Sequence, residues 1–489
     1  MPCHVRLCLL PILTAMAAAC SGSNDGPVQI AVIGDTSALQ TAGPRLSGAA
    51  RTIRAATVEG LVGFDAEGRV GPGLADRWVV AEDGRSYIFR LRDGTWPDGT
   101  RITAEAAAAA LRRSLAALRG TALGLDLSPI EAVRVMADRV IEIDLVAPMP
   151  DLLTLMAQPE LGLVHDHRGS GPMALKRDGA HVILSLIPPE KRGLPAEADF
   201  AERARPIDVV FLSAEKAVAR FNDGYADVVL GGRIDSLTLA NVSGLSRGNV
   251  QLDPVIGLFG LMVDNDQGFL ANPANREALA MAIDREGLLG SFNIGGWQPT
   301  TRIVSADVED DLGTVGERWL GMTQGDRRAA AAQRVERWTS AGNPPVALRL
   351  AMPSGPGSVL IFNRIKADMA AIGVTLHMAG ERERADLRMV DTVARYGRAT
   401  WFLNQLSCAV QRPACSPVGD DRLAEARRAI DPEQRAALLA EAEAEITASN
   451  GYIPIARPLR WSMVRSGVSG FALNPWGWHP LPSMAMLPK

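Results

Sequence analysis

The stretch that decides the fold is PGLADRWVVAEDGRSYIFRLRDGTWPDGTRITAE, residues 72–105. Within it, two apolar runs, Trp78–Val80 and Tyr87–Leu91, flank a polar turn centred on Asp83-Gly84. An Asp-Gly dipeptide between runs rich in β-formers is a strong hairpin signal. The second run alternates in polarity, so its odd-numbered residues are expected on one buried face. The sequence therefore predicts an antiparallel hairpin here.

The carboxylates downstream of this hairpin need not serve chemistry. The Asp-Gly pairs at 93–94 and 98–99 are turn dipeptides, in which Gly accepts positive φ and Asp bonds its own backbone. Thr103 is a good helix N-cap, and Glu105 in the first turn complements the helix dipole. The spacing does not fit a calcium loop, which needs oxygen ligands at alternate positions. Turns and a cap account for all three acids.

The rest of the chain predicts an α+β fold with α/β sub-layers. Strand, helix and strand patterns follow one another twice, and such an order favours α/β layering. The predicted elements are a strand at 30–33, a helix at 49–61, a helix at 103–119, a strand at 140–145, a strand–helix–strand unit at 207–212, 214–222 and 227–230, an amphipathic helix at 274–289, a second such unit at 346–352, 359–371 and 374–378, and one or two helices over 420–449 interrupted near Asp431-Pro432.

Composition excludes one class of partner. The 489-residue chain is 47% hydrophobic and 22% charged, which suits two or three globular cores. Its net charge of −4 leaves no basic excess to neutralise phosphates. A nucleic-acid-binding protein is therefore not expected.

The first twenty residues are typical of an export signal. Arg6 precedes an apolar run at 7–15 that is too short for a permanent membrane span. The run ends in small residues before Cys20 and resembles a bacterial lipoprotein signal, with Cys20 as the lipidated residue and 21–26 as a flexible linker. Ordinary signal cleavage after Ala19 or earlier is the alternative. No later segment is apolar enough to span a bilayer, so the mature protein is expected to be anchored or soluble.

Two cysteines remain for the folded protein if Cys20 carries lipid. An oxidising compartment favours a disulfide between Cys408 and Cys415, which closes a small loop. A zinc site is disfavoured because no second cysteine pair or nearby histidine completes four ligands.

Two further motifs suggest chemical sites. His165-Asp166-His167 offers a possible metal pair, against the alternative of a polar loop. The residues 244–248 match G-x-S-x-G with Ser246 at its centre, but they lie between a loop pattern and a strand pattern. The hydrolase motif requires a strand before it and a helix after it, which favours a chance match. No cofactor, metal site or catalytic residue is predicted.

The order of motifs along the chain resembles the peptide/nickel-type (family 5) extracellular solute-binding proteins of bacterial ABC importers. The matching segments cover nearly the whole mature chain. They are Glu59-Gly60-Leu61-Val62, the stretch from Pro72 to Glu105, Gly169-Ser170-Gly171-Pro172 (similar to G-T-G-P-Y, with Met173 for Tyr), Phe221–Asp227, Asn275–Arg285 (similar to R-x-A-x-x-x-A-I-D-R), Ile372-Gly373-Val374 and Tyr452–Ile455.

The resemblance implies a two-lobed periplasmic-binding-protein type II-like fold with an extra N-terminal subdomain (class C). Lobe I is then discontinuous, formed by 27–45, 168–252 and 451–489. The extra subdomain covers 46–167, and lobe II covers 253–450. Such a protein encloses its ligand by hinge closure and presents the closed form to an ABC permease.

Departures from the family pattern bear on the ligand. Peptide-binding members pair the peptide's amine with an Asp in a D-Y-x-D-P-like segment, because a buried ammonium needs a carboxylate. The corresponding stretch here is identified as Trp401–Cys408, which contains no Asp. A neutral, blocked or otherwise different ligand is therefore expected. The candidate cleft residues are Trp401 and Asn404, with Asp264 and Asn265 after the strand that contains Leu261.

The function expected from the resemblance is a monomeric substrate-binding lipoprotein that delivers a peptide-like or other small solute to an ABC importer. A receptor or scaffold that kept the fold without peptide transport is the runner-up. An exported serine hydrolase using Ser246 is the third alternative.

Overall fold

The computed structural model describes residues 26–40, 43–166, 168–240, 248–306, 308–410 and 413–488. The predicted signal with Cys20, nearly all of the linker, His167 and Ser246 lie outside the described residues. Within the described ranges, no helix is both long and apolar enough to cross a membrane.

The structure contains strands throughout both halves of the described chain. They are β1 (Val28–Ile33), β2 (Val62–Phe64), β3 (Val70–Pro72), β4 (Ala75–Val80), β5 (Ser86–Leu91), β6 (Ile130–Ala137), β7 (Val140–Leu145), β8 (Val164–His165), β9 (Arg168–Gly169), β10 (Met173–Asp178), β11 (His181–Leu186), β12 (Ile207–Leu212), β13 (Val228–Arg233), β14 (Val250–Leu252), β15 (Gly257–Val263), β16 (Ala347–Met352), β17 (Thr375–Gly380), β18 (Leu387–Val393), β19 (Tyr452–Ala456) and β20 (Arg460–Val464).

Helices cover the faces of these sheets. They are α1 (Gly48–Thr57), α2 (Ala104–Ala117), α3 (Ala122–Asp126), α4 (Leu152–Met156), α5 (Phe200–Arg203), α6 (Ala214–Asn222), α7 (Pro273–Ala282), α8 (Arg285–Gly290), α9 (Gln324–Ser340), α10 (Pro356–Ala370), α11 (Ala399–Asn404), α12 (Pro417–Ala426), α13 (Pro432–Ser449) and α14 (Leu481–Met484), with 3-10 turns at Thr36–Gln40, Pro159–Leu161, Pro189–Arg192, Ile234–Ala240, Gly268–Ala271 and Cys408–Val410.

Two mixed sheets form the framework. A seven-stranded sheet has the order β10-β11-β12-β1-β13-β20-β14, and a five-stranded sheet has the order β17-β16-β18-β15-β19. Strand β1 pairs in parallel with β12 and β13, and β16 pairs in parallel with β17 and β18, as expected for strands joined by helical crossovers. The mixture of such units with antiparallel pairs confirms the predicted α+β class with α/β sub-layers.

A four-stranded antiparallel sheet, β4-β5-β7-β6, contains the predicted hairpin. Tyr87, Phe89 and Leu91 of β5 are buried, and the residues between them are exposed, which is the alternation of a sheet with one wet face. Helix α2 begins where predicted, because the Thr103 side chain accepts a hydrogen bond from the Ala106 amide at 3.2 Å. The predicted hairpin and cap are both confirmed.

The predicted helix over 274–289 is two helices in the structure. The backbone leaves the helical region at Ile283, and the Asp284 side chain caps α8 by accepting a hydrogen bond from the Gly287 amide at 3.0 Å. Asp284 also donates its own amide to Asp368 Oδ2 at 3.0 Å. Asp284 is a residue type that often caps helices, but the apolar periodicity continues across it, so the sequence pattern did not indicate the break between α7 and α8.

The chain crosses between the two large sheets at two short links. Residues 253–256 join β14 to β15, and residues 457–459 join β19 to β20. Strand β19 pairs with β15 in the five-stranded sheet, whereas 451–489 was predicted to lie wholly in the other lobe. The strand is apolar on both faces, and pattern alone cannot tell which of two sheets such a strand joins.

Candidate ligand-binding cleft

Two buried carboxylates and four partly buried arginines form ion pairs that connect the two large sheets and the segments next to them. They come from α1, the turn after α4, β13, β18, the segment after β18 and β20. We call them the interlobe charge cluster: Arg51, Glu160, Arg233, Asp391, Arg395 and Arg460.

One half of the cluster is centred on Glu160, whose side chain is 2% exposed. Its Oε1 atom accepts hydrogen bonds from Arg51 Nε at 2.8 Å and from Arg395 Nη2 at 3.0 Å. Burial alone would raise the pKa of Glu160, but the two guanidinium groups together hold that pKa below its ordinary value. This carboxylate therefore stays ionised and joins three distant segments of the chain.

The other half is centred on Asp391 of β18, whose side chain is also 2% exposed. Arg460 Nη1 lies 2.7 Å from Oδ1, and Arg233 Nε lies 3.2 Å from Oδ2. Both arginines also donate to the Asp391 carbonyl oxygen at 3.1 Å. Burial opposes ionisation of Asp391, yet these arginines lower its pKa. Asp391 thus ties the five-stranded sheet to β13 and β20 of the seven-stranded sheet.

The two halves influence each other electrostatically. Burial lowers the pKa of Arg51, Glu160 raises it, and the charges of Arg395 and Arg460 lower it again. Asp235 adds a third acid at the edge of the cluster, 4.0 Å from Arg233. Four guanidinium groups therefore share three carboxylates, and planar guanidinium groups are well suited to bind further oxyanions.

The predicted cleft residue Trp401 lies in a hydrophobic core and is fully buried. Its ring meets the ring of Phe402 edge to face, with centroids 5.0 Å apart. The short helix α11 packs against α3, α12 and α13, and Trp401 belongs to the hydrophobic core there. In this state Trp401 packs the core and does not face the cleft.

Asn404 is also fully buried, and its polar atoms are used inside the protein. Its Nδ2 donates to Asp126 Oδ1 at 2.8 Å, and its Oδ1 accepts from Arg427 Nη1 at 3.2 Å. The Tyr396 hydroxyl donates to the same Asp126 oxygen at 2.9 Å. Burial raises the pKa of Asp126 to about 7, although these hydrogen bonds oppose the rise. Asn404 thus belongs to a buried polar network, which borders a small cavity of about 70 Å³.

Asp264 and Asn265 lie at the far end of β15 from the interlobe charge cluster. Asp264 Oδ2 accepts from Arg388 Nε at 2.5 Å, and Asn265 Nδ2 donates to Asp386 Oδ1 at 2.8 Å. Strands β15 and β18 are antiparallel, with Gly257 opposite Val393 and Val263 opposite Leu387. A seven-residue strand spans about 20 Å, so Arg395 and Asp264 lie at opposite ends of it. The structure does not bring the four predicted residues together.

Cys408 and Cys415, the pair chosen from the sequence, are joined by a disulfide that closes a loop with a sequence separation of 7. The loop leads into α12, where Asp420 Oδ2 accepts from the Cys408 amide at 2.9 Å. The disulfide supports the loop that follows α11 and does not contribute a group to the cleft.

The motif at His165 gains a third polar neighbour in the fold. Asp98, His165 and Asp166 bring ligand-type atoms within 4.8 Å of one another, although Asp98 is distant in sequence. Strands β8 and β9 pair as a minimal hairpin around this motif, which accords with the polar-loop alternative. Asp98 and Asp166 are exposed, and nothing else in the described residues points to an ion here.

The model of the bacterial extracellular solute-binding proteins, family 5 (middle region), matches residues 69–406, which is more than half of the chain. The chain belongs to this family. It is therefore an exported solute-binding protein of the kind that serves ABC importers, and its two-lobed fold is that of the family.

Individual relatives agree with this assignment. The periplasmic oligopeptide-binding protein OppA of Escherichia coli K12 is 22% identical over 460 residues, covering 84% of each chain. The probable deoxycholate-binding periplasmic protein YgiS of the same strain is 24% identical over 282 residues, covering 51% of this chain and 52% of its own. The crystal structure of Haemophilus influenzae OppA with the peptide RPPGFSPFR superposes with a TM-score of 0.81 at 19% identity, covering 95% of this chain and 100% of that chain.

Sequence reasoning missed every residue of the interlobe charge cluster. A usable signal was present, since Asp391 interrupts the apolar strand LRMVDTV at a position that faces the core. A charge in a buried strand needs a partner, and buried charges are almost always paired. The ion-pair partners are 69 to 235 residues apart in the sequence, so only the fold identifies them.

Proposed function

We propose that this solute-binding protein captures an acidic, carboxylate-bearing solute, peptide-like or otherwise, in the interlobe cleft and delivers it to an ABC permease. The observation that carries the proposal is the excess of guanidinium groups in the interlobe charge cluster. A ligand carboxylate there would replace or join the protein's own acids as a partner of Arg51 and Arg395. The arginine fork binds a carboxylate through two parallel hydrogen bonds, which gives orientation as well as affinity.

Arg395 supports this choice of ligand charge. Residues 395–399 share one position, Tyr396, with the D-Y-x-D-P-like pattern of peptide-binding members, and we propose this stretch as the corresponding one instead of 401–408. In that alignment Arg395 replaces the amine-pairing Asp and Arg398 replaces the second Asp. Reversal of charge at this place disfavours an ammonium ligand and favours an anion.

The names of the relatives are consistent with more than one chemical class of ligand. One is named for oligopeptides and another for deoxycholate, so similarity to this chain extends to proteins named for quite different compounds. The ligand of this chain is therefore proposed by charge and placement rather than by inheritance from one relative.

Ligand identification tests the proposal directly. Native mass spectrometry of the purified protein is expected to show a co-purifying acid, and a thermal-shift panel is expected to favour dicarboxylates and acidic or amine-blocked peptides over peptides with a free amine. Arg395→Gln should weaken the selected ligand at least tenfold, Arg395→Lys should retain part of the affinity, and the exposed Arg384→Gln should change nothing. A panel in which free-amine peptides bind best, with no effect of Arg395→Gln, would refute an anionic ligand.

Anchoring and delivery belong to the same proposal. A lipid on Cys20 would hold a monomeric receptor near its permease. Palmitate labelling of the wild type, and its loss in Cys20→Ser, is the expected result. Labelling that persists in the variant would place the lipid elsewhere. Uptake of the identified ligand should fall when either this protein or the permease subunits are deleted, and unchanged uptake in both deletions would exclude the transport role.

A further inference from the structure

A cavity of about 760 Å³ lies apart from the interlobe cleft. Its walls are α1, the loop after β5, the hairpin β8–β9 with the start of β10, and the 3-10 turn Pro189–Arg192. None of the described residues that line it comes from 253–450, so closure of the two large lobes does not form it.

The charge of this cavity is unusually one-sided. Its described lining includes six cationic side chains and no carboxylate. We call it the cationic cavity, and its cations are Arg54, Arg92, Arg168, Arg177, Lys191 and Arg192. Like charges around one space repel each other, and the repulsion is screened only in part where the walls exclude water.

One acid lies behind this wall and holds two of the arginines. Glu59 binds Arg92 through Oε2 and Arg192 through Oε1. The turn that carries Arg192 can approach this closely because Gly193 has a φ of 75° and any Cβ there would overlap the Asp93 carbonyl oxygen. Glu59 therefore fixes Arg92 and Arg192 in the wall, and the charge of Glu160 also acts on Arg54.

Hydrogen-bond donors at the wall are also unused by the protein. Trp96 Nε1, Arg192 Nε and Ser170 Oγ are buried and have no hydrogen-bond partner among the described residues. The Trp96 ring is 2% exposed and stacks on His165 with centroids 5.2 Å apart, which holds the indole in place. Ser170 lies between two glycines that pack on the end of α1, and Gly171 leaves no space for a Cβ there. Buried donors without acceptors are costly, and an oxyanion supplies several acceptors at once.

The rest of the wall is apolar. Ile53, Val58, Met173 and Ile187 line the same space. A cavity with a cationic wall, unused donors and an apolar side fits a molecule with an acidic group and a hydrocarbon part better than it fits water alone.

We propose that the cationic cavity is a second ligand site, which binds an organic oxyanion, carboxylate or phosphate, independently of the interlobe cleft. Arg92, Arg192, Trp96 and Ser170 form its fixed floor. Arg168 and Lys191 are exposed at its mouth and attract the anion.

Isothermal titration calorimetry at low ionic strength tests this site with two probes, inorganic phosphate and octanoate. Saturable binding is expected in the wild type, and the double variant Arg168→Gln/Lys191→Gln should weaken it at least tenfold. The matched control, Arg90→Gln/Lys176→Gln, removes the same charge from exposed positions outside the cavity and should bind normally. Far-UV circular dichroism checks that both double variants fold.

The two probes separate the sources of the anion. Tighter binding of octanoate indicates a carboxylate with an apolar chain, and tighter binding of phosphate indicates a compact phosphorylated ligand. Equal affinity of the two double variants, or no binding of either probe, would overturn the proposal. So would loss of binding in Arg395→Gln with retention in Arg168→Gln/Lys191→Gln, because the anion would then occupy the interlobe cleft.

Discussion

The interlobe charge cluster and the cationic cavity are both built from arginines, but they satisfy those arginines in opposite ways. In the cluster, Glu160 and Asp391 each accept from two guanidinium groups. In the cavity, six cations and no carboxylate are found in the described lining, and Glu59 binds Arg92 and Arg192 from behind it. Paired charges fix the present arrangement of the lobes, and a ligand must compete with them. A space lined by cations without a carboxylate can accept an external anion that displaces no acid of the protein.

The strongest test of the paired region is Glu160→Gln. The change removes the buried carboxylate that Arg51 and Arg395 share, and because both arginines keep some contact with solvent, we expect a cost of about 2 kcal/mol, below that of a fully buried pair. Urea unfolding at pH 7 is expected to show that loss. The pKa of Glu160 is lowered in the folded protein. The ionised carboxylate therefore stabilises the fold at pH values above the ordinary pKa of a glutamate, and this stabilisation is lost as the pH falls through the folded pKa.

Glu67→Gln is the matched control for that experiment. Glu67 pairs with Arg69 at 3.1 Å, but its side chain is 53% exposed, so the loss should stay below about 0.5 kcal/mol. Equal losses in the two variants would show that burial does not distinguish the cluster from a surface pair.

Asp126→Asn sharpens the comparison by removing a buried acid that has hydrogen bonds but no ion pair. The folded pKa of Asp126, about 7, exceeds its ordinary value of 3.8. The protonated carboxyl of Asp126 therefore stabilises the wild type fully at low pH, and this stabilisation is lost as the pH rises from about 4 to 7. The pH dependence is opposite to that expected from Glu160. Between pH 5 and 8 we expect the wild type to lose about 2 kcal/mol that the variant does not lose.

The measurement is the free energy of unfolding across that range, with Asp421→Asn as an exposed control. A pH profile that Asp126→Asn leaves unchanged would show that the carboxyl is ionised throughout.

The smallest effect concerns the cationic cavity. At low salt, Arg168→Gln/Lys191→Gln should raise stability by about 0.5 kcal/mol, because it relieves repulsion among cations at partly exposed positions. Thermal unfolding in low and high salt measures the difference, which should vanish at high salt. A stability that falls at low salt, while Arg90→Gln/Lys176→Gln is neutral, would mean that these two charges are already compensated.

Local chemistry made much of the fold predictable. The turn residues around Asp83-Gly84 and the cap at Thr103 act over a few residues, and both were identified correctly. The break at Ile283 was missed because apolar periodicity continued through it, while the partner that stabilises Asp284 is Asp368, far along the chain. The sheet to which β19 belongs was predicted wrongly, because a strand that is buried on both faces has no polar side to show which sheet it joins.

The cleft was less predictable for a related reason. Trp401 and Asn404 are residue types that often line ligand sites, but here a core and the Asp126 network bury them. Arg395 became informative only when the fold placed it beside Glu160. Charges that meet across lobes leave no spacing pattern in the sequence.

The two links between the large sheets determine where the chain must bend if one sheet rotates against the other. Residues 253–256 and 457–459 are all that separate β14 from β15 and β19 from β20, and each link contains a proline, whose ring fixes φ. Rotation of one sheet against the other must therefore be absorbed by a handful of backbone torsions. The time for which a solute stays enclosed is then a property of Pro254, Pro458 and their neighbours as much as of the groups that touch it.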